Sequence, residues 1–159
     1  MFRVGIGTDK HRLVFGKQLV LGGVIVDSPK GAFGHSDADV LAHAIIDAIL
    51  GAAGLGDIGH HFPDSDPKWK DANSIEMLKK TVETLKNAGY HVVNVDASVH
   101  LEKPKLGRLK GEMAGNLSAA LGLPRHMINI KAKTGEGSGE VGTGETIEAY
   151  AVAMVETNT

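Results

Sequence analysis

The chain has 159 residues, 42% of them hydrophobic and 4% aromatic, and its 17 basic and 19 acidic residues leave a formal charge of -2. That length suits one domain with a real core, expected to span 1–159, while spread charges and scarce aromatics exclude a basic or base-stacking surface for nucleic acid. Cysteine is absent, which excludes disulfides, thiolate nucleophiles and Cys-ligated zinc or iron–sulfur centres.

Residues 2–9 read as a short strand, and VLGGVIV (20–26) as a hairpin turning at Gly22-Gly23. From Asp37 to about Ala53, Val40, Leu41, Ala44, Ile45, Ala48, Ile49 and Ala52 recur at helical spacing until Gly54 and Gly56. Asn73-Ser74 caps a second helix, whose stripe Ile75, Leu78, Val82 and Leu85 is stopped at Asn87-Ala88-Gly89. A strand follows at about 91–101, then a helix through 106–121 closed by Gly122 and Pro124, and strands at 127–133 and 146–155. Strands alternating with three helices predict an α/β two-layer sandwich, with helices on one or both sides of a small mixed sheet. The N-terminal MFRVGIGTDKHRLV lacks a signal peptide's apolar core, and no run approaches the ~18 apolar residues of a membrane span. A cytoplasmic protein without membrane contact is expected.

Asp9 and His11 are two apart in a strand-like segment, so both side chains share a face. His43 sits on the first helix, and a third ligand from another element would complete the Asp/His set of an open zinc site. Alternatively, Asp9 caps a turn and His43 is a satisfied core histidine; an isolated Asp-x-His pair favours that alternative. The region 35–67 shifts the balance, because Asp37, Asp39, Asp47, Asp57, Asp64 and Asp66 stand among histidines and glycines around an apolar helix. Asp39 and Asp47 flank His43 by four residues each, near enough for one to orient its imidazole, although Asp37 and Asp39 also suit helix capping and Asp47 a solvated face.

Residues 131–145, KAKTGEGSGEVGTGE, contain a G-x-G-x-x-G pattern at Gly137, Gly139 and Gly142. A dinucleotide site needs a helix after those glycines, and TIEAYAVAMV reads as a strand instead. A flexible connection is expected here, with Lys133, Thr134 and Glu136 before it offering phosphate contacts and a hard-metal ligand.

Taken together, DKH (9–11), GHSDADVLAH (34–43), LGDIGHHFPDSDP (55–67), NVDASVHLEKPKL (94–106) and KAKTGEG (131–137) make the chain resemble the 2-C-methyl-D-erythritol 2,4-cyclodiphosphate synthase family. The resemblance implies a cyclising, CMP-releasing lyase of non-mevalonate isoprenoid biosynthesis. Its substrate would be 4-diphosphocytidyl-2-C-methyl-D-erythritol 2-phosphate, a cytidine diphosphate-linked polyol. It further implies a homotrimer with active sites shared between neighbouring subunits, and one zinc per subunit on Asp9, His11 and His43. His35 and Thr134 match the residues credited with steadying the transition state. Asp9, Lys10, His11, His35 and Ser36 match substrate contacts, and Asp57, Ile58 and Gly59, with Phe62, Pro63, Asp64, Ser65 and Asp66, match the polyol side. Leu101, Glu102, Lys103, Pro104, Lys105, Leu106 and Gly107 match the loop that receives cytosine. Lys133, Thr134, Gly135 and Glu136 match the diphosphate contact, with Glu136 holding a second divalent cation, magnesium or manganese.

The chain departs from the family pattern at Glu140 and Thr143, where some members carry an aromatic and an arginine beside the trimer's central channel. Lys133 stands where threonine is common, and Gly135 replaces a hydroxyl residue. Two rival functions fit parts of the pattern. A metal-dependent hydrolase of nucleotide diphosphates would use water as attacker, and a trimeric cytidine-nucleotide sensor would keep the 101–107 loop without needing Asp9, His11 and His43.

Overall fold

The computed structural model describes residues 1–158. A long first strand, β1 (Phe2–Phe15), is followed by a small ribbon of β2 (Leu19–Leu21) and β3 (Val24–Val26), then β4 (Lys30–Ala32). Three long helices follow in order: α1 (Val40–Ala53), α3 (Ser74–Asn87) and α4 (Lys110–Leu121), with the one-turn α2 (Ile58–His61) between the first two. Strand β5 (Tyr90–His100) precedes α4, and β6 (Ile128–Lys133), the one-turn α5 (Gly139–Gly142) and β7 (Thr146–Thr157) complete the chain. The five-stranded sheet has the order β4-β1-β7-β5-β6, with only the β5–β6 pair parallel. This is the expected mixed sheet with three main helices, and all three lie on one face. No helix among the described residues is long and apolar enough to cross a membrane.

The pleat of β1 decides how the layers meet. Gly5 and Gly7 turn inward, while Val4 and Ile6 turn outward and remain 61% and 69% exposed. A Cβ on Gly5 would stand 2.0 Å from the Ala48 carbonyl oxygen, and one on Gly7 would stand 1.9 Å from that of Ala44. Helix α1 therefore lies directly on the strand's backbone. It is buried along almost its whole length, between the sheet and α3, which is why its sequence is apolar nearly all round. Asp39 starts α1: its buried carboxylate accepts from the N–H of Ala42 and from those of Gly22 and Gly23, tying the helix to the ribbon turn. Both turn glycines have positive φ, 55° and 73°, as the expected hairpin requires.

Several boundaries differ from the sequence reading. β1 runs six residues beyond Asp9, because β7 and β4 supply ladder partners through its charged second half. Helix α4 begins at Lys110 rather than 106, since Leu106 is drawn into the core before the helix starts. The glycine-rich stretch is a compact turn rather than a flexible connection. Gly135 and Gly142 pack backbone to backbone there, where a Cβ on Gly135 would meet the Gly142 nitrogen at 2.5 Å.

Two glycine substitutions should act in opposite directions. Gly7→Ala should cost about 3 kcal/mol or more, because neither the carbonyl of Ala44 nor the strand can yield. Gly51→Ala, whose Cβ would meet nothing closer than 3.8 Å inside α1, should stabilise by roughly 0.5–1 kcal/mol. Urea denaturation measures both, and equal effects would contradict this packing.

Candidate active site

The inward face of β1 continues from Gly5 and Gly7 to Asp9 and His11, and α1 brings His43 against them. Asp9 Oδ2 lies 3.0 Å from His11 Nε2 and 3.0 Å from His43 Nδ1. One ligand atom from each residue falls within 4.8 Å of the others, a separation that one small cation can bridge. Asp9 is mid-strand and caps no turn, so the capping alternative fails. Burial pushes the Asp9 carboxyl up, but the close approach of the His11 and His43 rings, and then their charges, outweigh it and hold the group at about 2. Burial pulls His11 down, yet the Asp9 carboxylate beside it prevails and raises it above the ordinary imidazole value. His11 Nε2 nonetheless has no hydrogen-bond partner: its approach to Asp9 is close, but its geometry is not that of a hydrogen bond. A buried imidazole nitrogen without a partner, beside an ionised carboxylate, is what a cation-binding group presents.

The far sides of both rings are anchored. His11 Nδ1 lies 2.9 Å from the Phe33 carbonyl oxygen, and His43 Nε2 lies 2.8 Å from Ser74 Oγ and 3.1 Å from Ser36 Oγ. Neither Asp39 nor Asp47 orients His43, contrary to the reading from helical spacing. Asp39 is spent on backbone N–H groups, and Asp47 accepts from the Ile58 N–H at 2.9 Å, fixing the start of α2. Ser74, the first residue of α3, holds the ring instead.

Asp9, His11 and His43 open on a cleft of about 300 Å³. His35 and Ser36 line it from the loop before α1, and Ile58, Gly59, Phe62 and Asp64 from the α2 region. Trp69 and Met77 also line it, and Trp69 meets Phe62 edge to face at 4.7 Å; sequence reasoning missed both. Asp57 caps α2 through the His60 N–H, and Asp66 caps the 3-10 turn at Pro67–Trp69 through the Lys68 N–H. Pro63 and Ser65 belong to the same segment but do not line the cleft. Lys10 leaves the group altogether: it points to the opposite sheet face and pairs with Glu140 and Glu148.

A second cleft, about 240 Å³, lies beyond β5 and β6. Glu102, Pro104, Lys105 and Gly107 form one side, and Lys133 and Thr134 the other. Leu101 and Leu106 line it too, although each is 4% exposed and anchors the loop in the core. The Gly135 N–H donates to Glu102 at 2.8 Å and so ties the two loops together, while within the second loop the Glu136 N–H donates to Thr134 Oγ1 at 3.2 Å. Glu136 is exposed and has φ 51°. Lys103 faces away, into a neighbouring hollow beside Phe15 and Lys30. Strand register places Lys10, Glu148, His100 and Lys133 in one row across the sheet. Three strand spacings, roughly 14 Å, therefore separate the Asp9 group from the Thr134 loop within one chain.

Known proteins share this sequence pattern and this fold. The YgbB family matches residues 2–156. A 2-C-methyl-D-erythritol 2,4-cyclodiphosphate synthase from Desulfosudis oleivorans is 53% identical over 153 residues, which is 96% of this chain and 91% of that protein. The bifunctional IspDF of Campylobacter jejuni superposes with a TM-score of 0.95 at 39% identity, covering 99% of this chain, which spans only 42% of that longer one. A CDP-bound structure of 2C-methyl-D-erythritol-2,4-cyclodiphosphate synthase gives a TM-score of 0.89 at 37% identity, covering 97% of this chain and all of that one. With its sequence matched almost end to end and its fold reproduced, this chain belongs to the YgbB family of 2-C-methyl-D-erythritol 2,4-cyclodiphosphate synthases.

Proposed function

We propose that the chain, acting as one domain over 1–159, converts 4-diphosphocytidyl-2-C-methyl-D-erythritol 2-phosphate to the cyclic 2,4-diphosphate and releases CMP. The observation that carries this reading is the Asp9–His11–His43 group opening on the same cleft as His35 and Asp64. An oxygen of the substrate's own 2-phosphate attacks the β-phosphorus, a new P–O bond forms in line, and the bond to the bridging oxygen breaks as CMP leaves with it. No side-chain nucleophile is required, so the protein's work is positioning and charge stabilisation. The chemistry supplied by zinc on Asp9, His11 and His43, and by magnesium or manganese on Glu136, is polarisation and neutralisation of phosphate oxygens.

The chain's own groups divide the remaining work. His35 Nε2 is buried without a partner, so its ring is free to bond a phosphate oxygen. Ser36 and the cleft residues from Ile58 to Asp64 receive the polyol. The loop from Leu101 to Gly107 receives cytosine, and Lys133, Thr134 and Gly135 meet the diphosphate. One chain holds these halves roughly 14 Å apart across the sheet, which supports a homotrimer whose sites draw one half from each of two neighbours. The uncovered sheet face, where Phe2, Val4, Ile6 and Val152 are exposed, supplies an apolar surface for that association.

Incubation with the proposed substrate should yield a cyclic diphosphate and CMP by phosphorus NMR. The analogue lacking the 2-phosphate should remain intact, and its cleavage would show a hydrolase instead. Glu136→Gln should lower kcat by on the order of 100-fold with little change in CMP binding, because the lost charge acts on the transferring phosphate. Normal turnover of that variant at limiting magnesium would remove Glu136 from the reaction. Metal binding should also follow pH. The proton on the raised His11 must leave before Nε2 can bind a cation, so zinc affinity should be greatest above the imidazole range and fall as pH drops through it. Competition titrations between about pH 5 and pH 8 test this, and a flat affinity would contradict the assignment.

A further inference from the structure

We propose that Ser74 and Asp37 are positioning residues: together they fix the proton of His43 on Nε2 and leave Nδ1 free for the metal. The inference rests on the reading of Asp9, His11 and His43 as a metal group, and it follows from counting donors and acceptors. An ionised carboxylate only accepts hydrogen bonds. Asp37 Oδ2 accepts the Ser74 N–H at 3.0 Å, and Oδ1 accepts both the Ser74 hydroxyl and the Asp39 N–H. The single hydroxyl proton of Ser74 is therefore committed to Asp37. What Ser74 Oγ then shows His43 Nε2, 2.8 Å away, is a lone pair, so the ring must donate from Nε2. Nδ1 faces Asp9 Oδ2 at 3.0 Å, so with a cation in place of the proton between them the neutral ring keeps its single proton on Nε2. Ser36 Oγ, 3.1 Å from the same nitrogen, also accepts the Ala38 N–H but touches no carboxylate, so its own proton is uncommitted. Only the Ser74 route dictates a direction.

Burial makes that direction consequential. Ser74 is fully buried and His43 is 9% exposed, so a reversed or broken link would leave a polar group unsatisfied where water cannot replace it. The same two segments are sewn together on either side of the link. The Asp37 N–H donates to the Ala72 carbonyl at 3.1 Å, and the Asp71 N–H donates to that of His35 at 2.9 Å. Ala38 and Asp71 sit at φ 55° and 57°, where side chains other than glycine are rare, so both segments are held in uncommon backbone conformations at this junction. The clamp that orients a metal ligand thus also holds the loop carrying His35.

The test uses the full-length protein and three variants: Ser74→Ala, Asp37→Asn, and Asn73→Ala as a neighbouring control. Asn73 caps α3 by accepting from the N–H groups of Ile75 and Glu76, but it touches neither His43 nor Asp37. Zinc affinity is measured by competition with a chromogenic chelator, and the ring proton of His43 is located by long-range proton–nitrogen NMR. Ser74→Ala and Asp37→Asn should each bind zinc about 10- to 100-fold more weakly than the unmodified protein, and the cobalt-loaded forms should show altered visible spectra. Asn73→Ala should lower the melting temperature yet keep zinc affinity. In the zinc-loaded unmodified protein the single proton of the His43 ring should reside on Nε2. If Ser74→Ala fails to fold, Asp37→Asn, which conserves volume, still reads the same link. Unchanged affinity in both relay variants, or a His43 proton on Nδ1 in the zinc-loaded protein, would overturn the inference while leaving the metal site standing. An unmodified protein that binds no zinc would overturn the metal reading itself.

Discussion

The close approach of α1 to β1 is the constraint on which the rest depends. Gly5 and Gly7 remove two side chains from the strand's inner face, and the carbonyls of Ala44 and Ala48 fill the space. That contact sets the height of His43 above the sheet. Because strand residues two apart share a face, the same row that begins with Gly5 and Gly7 presents Asp9 and His11 next. A metal group contributed by two elements is only as precise as the packing between them, and here the packing is backbone against side-chain-free backbone. Little freedom remains for either element to slide.

The sheet also separates two groups that the proposed reaction uses together. β7 and β5 lie between the strand bearing Asp9 and the strand ending at Lys133, so the Asp9–His11–His43 group and the loop after Lys133 occupy opposite flanks of one chain. The outward face of the same strands changes character along its length. It is apolar at Phe2, Val4 and Ile6, and charged where Lys10 pairs with Glu140 and Glu148. A copy of the chain placed on this face would cover the apolar end. It would also find Glu140 paired with Lys10 of its own chain.

Much of this was legible in sequence. The Asp-x-His spacing, the apolar helix around His43 and the glycine caps carry strong periodic or stereochemical signals, and the three long helices and four of the main strands follow from them. The shorter elements do not. α2 and α5 are single turns set by a capping Asp57 and by glycine packing, too short for any period to show. Family resemblance groups Lys10 with its neighbours, although the period of two that unites Asp9 with His11 sends Lys10 to the other side. The sequence pattern makes Ser74 part of a helix cap, which suits its place at the head of α3. Its second role beside His43 depends on two segments 31 residues apart in sequence, a juxtaposition that no local pattern encodes.

The claim that one substrate is served by the metal group of one copy and the phosphate loop of another is open to a direct measurement. An Asp9→Asn variant and a Glu136→Gln variant, each nearly inactive alone, are mixed under conditions that let subunits exchange, and CMP release is followed. Sites divided between copies predict that the mixture regains activity, since some junctions then combine an intact Asp9 with an intact Glu136. A mixture no more active than its components, with exchange demonstrated, would contradict that arrangement.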